Sequence, residues 1–488
     1  MTEMSLENPV SYKRIFWGSS VSRPNCEGAV LPVRYLDTAA SSLKLSCSLN
    51  AERAALRTYA NIHSTLHHNA CTTNEAFHWA RRQVLKFFNA DGEQHSAIFI
   101  GSGVTAGFNM LARSLRAAFP EKTLVCCSMM EHHSNDLPFR SPGKLLHFPL
   151  IEHGEMAGSI NIGESIELLV ANAVDIGVVT MTCVSNVTGI INTLAPIGEM
   201  CSELGIPFLL DAAQMTAHAP IDVSQPPFCY ADAILFSGHK AYCPGSPGVI
   251  VARRSFLERL KPTEWGGGMV DLVFPHSATV NASLDERFHA GTPNIVGAIG
   301  LGAALKRLGQ IGMQAVFEHG KEIMAYAMTA LADREFIRIY GSRDLRQVPR
   351  IGAISFNMLG VPHELLARVL NDYFNIYVRN ECFCAHPYVR TLIIDELWDI
   401  ESDGDSAMEA AIREARGMVR ASFGLYTDID DVRALVDALD AIHGDRDRYL
   451  AAYQRDGSGG FVRKQSAGIN VDISHIADLD DEIDGSAP

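Results

Sequence analysis

The chain is predicted to be α/β, with a large domain built on a mostly parallel sheet and a smaller α+β domain. Three observations carry that expectation. Short apolar runs rich in Val, Ile and Phe alternate with helical patterns from about residue 75 to 260. The stretches between them are long enough for the helical crossovers that parallel strands require. From Val296 to Ala332 a helical pattern takes over, followed by strands around Ile337 and Ile354.

Along the chain, Ala97–Ile100, Thr123–Cys127, Ile176–Cys183, Pro207–Leu210 and Ala233–Phe236 read as strands. Glu75–Phe88 and Thr105–Phe119, the latter ended by Pro120, read as helices between them. Both faces of such a sheet are covered, so functional residues belong on loops at the C-terminal ends of strands. A Gly-rich stretch, Gly266 to Gly268, and the turn Gly291-Thr292-Pro293-Asn294 lie before the second region. The expected division is an N-terminal segment, 1–50, belonging to the small domain; a large domain, 51–300; a C-terminal small domain, 301–455; and a mobile acidic tail, 456–488.

Composition narrows the function classes. With 488 residues and 47% hydrophobic content the chain buries a large core. A net charge of -15 argues against nucleic-acid or anionic-membrane partners, which need clustered Lys and Arg. No uncharged apolar run reaches the roughly 18 residues of a membrane span, and the polar start, with Glu3 and Glu7, is unlike a secretory signal, so a cytoplasmic protein is expected. Eleven cysteines with scattered spacing suggest reduced thiols more than a disulfide framework.

Five segments carry chemistry. In Ile98-Phe99-Ile100-Gly101-Ser102-Gly103-Val104-Thr105 a strand meets a glycine turn that opens a helix. Backbone N–H groups and the helix dipole there suit a phosphate, of a nucleotide or a phosphorylated cofactor, although a plain tight turn has the same pattern. Glu131-His132-His133-Ser134-Asn135 follows a strand end, where a histidine can stack on a ring, bind metal or decorate a loop. Asp211 follows Pro207–Leu210 directly, placed to hold a cation or to cap a following helix. Lys240, in Ser237-Gly238-His239-Lys240 after Ala233–Phe236, is sheltered enough to lose its proton and attack an aldehyde. After the apparent strand Phe374 to Val378, Arg379 suits a bidentate grip on a carboxylate. Cys384 is there a nucleophile, an inert thiol, or half of a metal pair with Cys382.

Together these segments resemble the class V aminotransferase family of fold-type I pyridoxal enzymes, and within it the cysteine desulfurases and selenocysteine lyases. The likeness covers about residues 35 to 450. It rests on motifs in order: Asp37-Thr38-Ala39-Ala40-Ser41, Asn61-Ile62-His63, Gly103-Val104-Thr105, Glu131-His132-His133-Ser134-Asn135, Val184-Ser185-Asn186-Val187-Thr188-Gly189, Asp211-Ala212-Ala213-Gln214, Ser237-Gly238-His239-Lys240, Gly291-Thr292-Pro293-Asn294, and Arg379 five places before Cys384. The resemblance implies pyridoxal 5'-phosphate attached to Lys240. It pairs Asp211 with the pyridine nitrogen, stacks His132 on the ring, and sets Asn186 and Gln214 at the ring hydroxyl. Val104, Thr105, Ser237 and His239 would hold the phosphate. Thr292 would reach the phosphate of a neighbouring subunit, which implies a homodimer with shared active sites. Arg379, Asn186 and His63 would bind the amino-acid substrate.

The desulfurases it resembles convert L-cysteine to L-alanine. By that likeness the α-proton goes to Lys240, the sulfur goes to Cys384 as a persulfide, His132 acts as acid/base for the thiol, and a sulfur-acceptor protein can follow. The chain departs from the family at the most sensitive place. Where desulfurases usually read Arg-x-Gly-x-x-Cys-Ala it has Glu381 for the glycine, with Cys382 and Phe383 before Cys384. Ala106-Gly107 also replaces the usual Glu-Ala of the phosphate helix. The alternative is a β-lyase, aminotransferase or epimerase in which Cys384 is a bystander.

Overall fold

Strands buried on both faces need apolar residues at every position, and the runs read from the sequence are such strands. A computed structural model describes residues 11–140, 144–393, 417–457 and 460–465. Strands β1 (His95–Ile100), β2 (Leu124–Ser128), β3 (Lys144–Phe148), β4 (Ile176–Thr182), β5 (Phe208–Asp211), β6 (Ala233–Ser237) and β7 (Gly248–Arg253) form one sheet, in the order β1-β7-β6-β5-β4-β2-β3. The pairs from β6 to β3 are parallel, and β7 lies antiparallel between β1 and β6.

Side chains alternate across this sheet with period two. Ala97 and Phe99 belong to one apolar cluster and Ile98 and Ile100 to the other; Phe208 and Leu210 face away from Leu209. Two of the seven strands escape the sequence pattern. β3, Lys144-Leu145-Leu146-His147-Phe148, is an edge strand with a mixed burial pattern, and β7 reads like any apolar run.

The C-terminal ends of β1, β2, β4, β5 and β6 share one edge of the sheet. Helix α1 (His68–Phe87) begins before the expected Glu75, while α2 (Gly103–Ala118) starts directly from the glycine turn after β1. α3 (His133–Arg140) follows β2. The helical pattern from 296 to 332 is two helices, α4 (Ile295–Ile311) and α5 (Met313–Ala332), broken at Gly312.

A second, antiparallel sheet has the order β8 (Ile337–Ile339), β9 (Ala353–Met358), β11 (Met418–Ser422), β10 (Arg379–Glu381). The apparent strand at 374–378 is divided differently. Phe374 ends helix α6 (His363–Phe374), and only Ile376–Tyr377 pair, in parallel with Arg34–Tyr35. Asp37 then bridges Ser422, so the N-terminal segment is joined to β11.

The contacts divide the chain into two compact units, Met1–Val436 and Asp437–Pro488. Within the second, where an irregular tail is expected after Asp456, Tyr453–Arg455 and Phe461–Arg463 form a hairpin. The acidic run from Asp478 lies outside the described residues. Among the described residues no helix is long and apolar enough to cross a membrane.

Candidate active site

A cavity of about 230 Å³ opens at the shared strand edge, lined by Ser102, Gly103, Val104, Thr105, His132, Asn186, Asp211, Gln214, Ser237, His239, Lys240, Arg379, Cys384 and Arg420 among others. Eleven of the thirteen residues singled out in the sequence therefore meet in one place. The other two, His63 and Thr292, do not line it. They lie together elsewhere on the surface, where Asn61 Nδ2 donates to Thr292 Oγ1 at 3.3 Å and Asn61 Oδ1 accepts the His63 N–H at 2.8 Å.

The anion cradle is built from α2. Gly103 has φ +59, and a Cβ there would stand 2.6 Å from Ser237 Oγ, so only glycine fits the turn. The Val104 N–H points at Ser237 Oγ, 3.0 Å away. Thr105 Oγ1 shares a 2.6 Å hydrogen bond with Ser134 Oγ. The N-terminus of a sixteen-residue helix, ringed by hydroxyls, fits a phosphate group. Gly107 explains the departure one turn later: a Cβ there would meet Ile100 and Leu235 side chains at 2.6 Å, so the helix sits unusually close to the sheet.

Burial sets the protonation states. The Lys240 amine is pushed down to about 8 by burial and by Arg420, against the opposing pull of Asp211, Cys384 and Asp37. Burial raises the Asp211 carboxyl, while the Ala213 N–H at 2.8 Å and Lys240 hold it down. A turn, not a helix, follows Asp211, so it caps no helix there. His132 is held down at about 3 by burial, then by Lys240 and His133. Its Nδ1 accepts the Ser134 N–H at 3.1 Å, which leaves the ring proton on Nε2. His239, lowered to about 4 chiefly by burial, is fixed through its carbonyl, which accepts the Ser42 N–H at 3.1 Å and its hydroxyl at 2.9 Å. Gln214 donates to the Ala39 carbonyl at 2.8 Å.

Arg420 is the residue that the sequence reading missed. It is 2% exposed, on β11. Nη2 donates to Asp37 Oδ1 at 3.1 Å and Nη1 to the Asn186 carbonyl at 2.9 Å. Its guanidinium lies 4.7 Å over the Phe383 ring. Nε has no hydrogen-bond partner among the described residues. A lone arginine in the apolar run Met418-Val419-Arg420-Ala421 was the available signal, since such a charge is kept in a core only for a partner. Arg379, in contrast, is 53% exposed at the cavity rim, 3.8 Å from Asp37 Oδ2.

The loop carrying Cys384 is fastened by two hydrogen bonds from outside and one within it. Asn186 Nδ2 donates to the Phe383 carbonyl at 2.8 Å, the His133 N–H to the Cys384 carbonyl at 2.7 Å, and the Ala385 N–H to the Cys382 carbonyl at 2.9 Å. Glu381, Phe383 and Cys384 all have positive φ, of 88°, 50° and 55°. Cys384 is exposed and lines the cavity; Cys382 is partly buried.

Residues 34–435 match the model of the aminotransferase class-V family. A probable cysteine desulfurase of Halalkalibacterium halodurans is 32% identical over 417 residues, covering 84% of this chain and 93% of the relative. A cysteine desulfurase of Serratia proteamaculans is 30% identical, covering 84% and 93%. Among solved structures, the apo cysteine desulfurase of Thermococcus onnurineus superposes with a TM-score of 0.72 at 26% identity, over 84% of this chain and 95% of that one. The chain belongs to the class-V aminotransferase family and, within it, to the cysteine desulfurases.

Removing Asp37 strands a buried guanidinium. Asp37→Ala is expected to lower stability by about 3 kcal/mol, whereas Arg379→Ala, at the exposed rim, should cost under about 1 kcal/mol. Denaturant midpoints of the two variants measure this. Equal effects would contradict the structural role of the buried pair.

Proposed function

We propose that this chain is a pyridoxal 5'-phosphate-dependent cysteine desulfurase that converts L-cysteine to L-alanine and takes the sulfur on Cys384 as a persulfide. The observation that carries the reading is one cavity holding both a sheltered amine, Lys240, and an exposed thiol, Cys384.

When bound, the cofactor supplies an aldehyde for covalent attachment and a ring that draws electrons from the substrate's α-carbon. The residues present fit it. The N-terminus of α2 with Thr105, Ser237 and His239 would hold the phosphate, Lys240 the aldehyde, and Asp211 the ring nitrogen in its protonated form. His132 would stack on the ring. Its resistance to protonation makes Nε2–H a hydrogen-bond donor more than a proton store, which sharpens the acid/base role first given to it. Asn186 and Gln214 would meet the ring hydroxyl.

Substrate binding falls to two guanidiniums. Arg379 at the rim and Arg420, which also lines the cavity, both suit the α-carboxylate. Lys240, neutral in a large fraction of molecules near pH 8, would take the α-proton. The Cys384 thiolate would then attack the substrate sulfur, forming the S–S bond as the carbon–sulfur bond breaks. His63 and Thr292 belong, in this reading, to the cavity of a second copy. Both are exposed, and Asn61 holds them beside each other. The lobe of 51–300 then carries the cofactor, and the lobe of 1–50 with the chain after 301 carries the Cys384 loop. The exposure of Cys384 leaves room for a sulfur-acceptor protein.

Two experiments test the reading. Incubated with L-cysteine and a thiol reductant, the protein should form alanine and sulfide in equal amounts, and Cys384→Ala should lower sulfide formation by on the order of 10². Pyruvate and ammonia in place of alanine, or unchanged turnover in the variant, would assign a different reaction. Cofactor uptake by the apoprotein requires a neutral lysine, so its rate should rise with pH, reach half its plateau near 8 and level off above about 9, being about 300-fold faster at pH 7 than a lysine of ordinary pKa allows. Stopped-flow absorbance measures it; a rate still climbing at pH 10 would remove Lys240 from the role.

A further inference from the structure

Cys382 has no part in the reaction above, yet it shares a tight turn with Cys384. We propose that Cys382 is a resolving thiol: it attacks Cys384 Sγ once that residue carries the transferred sulfur, releases sulfide, and leaves a Cys382–Cys384 disulfide. The proposal rests on the persulfide reading.

The backbone supplies the reach. With the Ala385 N–H bonded to the Cys382 carbonyl and both Phe383 and Cys384 left-handed, residues 382–385 form a single helical turn of reversed hand. Two residues along any helix of that geometry, Cα atoms are about 5.4 Å apart, inside the range of a disulfide. Side chains two residues apart leave the turn on opposite sides, so the bridge forms only as the turn opens. Opening is favoured by what the turn costs. Glu381, Phe383 and Cys384 each hold a left-handed conformation without being glycine, three strained positions within four residues. The Asn186, His133 and Arg420 contacts hold it closed.

Burial sets the order of events. In the closed turn Cys384 faces the cavity, while the partly buried Cys382 packs at the edge of the core. Cys384 therefore meets the substrate sulfur first. The chemistry then balances without an added oxidant. The Cys382 thiolate forms the Cys382 Sγ–Cys384 Sγ bond, the bond from Cys384 Sγ to the transferred sulfur breaks, and the electron pair leaves on that sulfur, which takes the thiol proton as hydrosulfide. In this step the transferred sulfur is reduced and Cys382 is oxidised, while Cys384 keeps the oxidation level it took on as the persulfide. A dithiol reductant restores the enzyme, so sulfide release needs no acceptor protein.

The test is one turnover. The loaded protein and its Cys382→Ser variant receive a single equivalent of L-cysteine per active site, with no reductant, and alanine, sulfide and the tryptic peptide Asn380–Arg390 are measured. In the wild-type protein sulfide should match alanine, and the peptide should be about 2 Da lighter than the dithiol. The variant should give a sulfide-to-alanine ratio at least about tenfold lower, with the peptide about 32 Da heavier than its unreacted form. Alanine formed with the heavier peptide in both proteins would overturn the resolving role alone. An absence of alanine in both would overturn the persulfide reading, and this one with it.

Discussion

A guanidinium taken out of water must be met by other groups, and Arg420 is met by three parts of the chain at once. Asp37 comes from the N-terminal segment, the Asn186 carbonyl from the turn after β4, and the Phe383 ring from the loop after β10. A buried charge left alone costs several kcal/mol, so these three parts are fixed relative to one another by the need to surround it. Asn186 in turn holds the Phe383 carbonyl, and His133, next to His132, holds the Cys384 carbonyl. The wall of the cavity that carries the thiol is thereby tied to the wall that carries the amine.

Legibility in the sequence followed distance along the chain. Ser102–Thr105, His132, Asn186, Asp211 and Lys240 each come directly after an apolar run, so their place at a strand tip can be read locally, and the sheet gathers them on one edge. Arg420 could not be read that way. Its carboxylate partner is 383 residues distant, and only the anomaly of a lone charge in an apolar strand pointed to it. The antiparallel β7 escaped because burial on both faces hides strand direction. The family likeness already directed Thr292 to a neighbouring subunit, but nothing local indicates that His63 lies outside the cavity of its own chain.

The Cys384 loop departs from the Arg-x-Gly-x-x-Cys-Ala pattern expected of a desulfurase, and the backbone shows what the difference requires. Glu381, in the position of the family's glycine, sits at φ 88°, a conformation that a side chain disfavours. Two more left-handed residues follow, and the loop keeps this form because hydrogen bonds and the Arg420 contact over-determine it. Gly107 is the reverse case. The sequence lacks the usual side chain there because the helix lies too near Ile100 and Leu235 to admit one. One departure strains a loop, and the other relieves a packing contact.

Every role described for the cavity depends on Lys240 carrying the cofactor. Reconstitution with pyridoxal 5'-phosphate, reduction with borohydride and peptide mapping tests this directly, because reduction makes the attachment permanent. The phosphopyridoxyl mass should appear on the peptide holding Lys240. The same label on a different lysine, or none on a folded protein, would contradict the account.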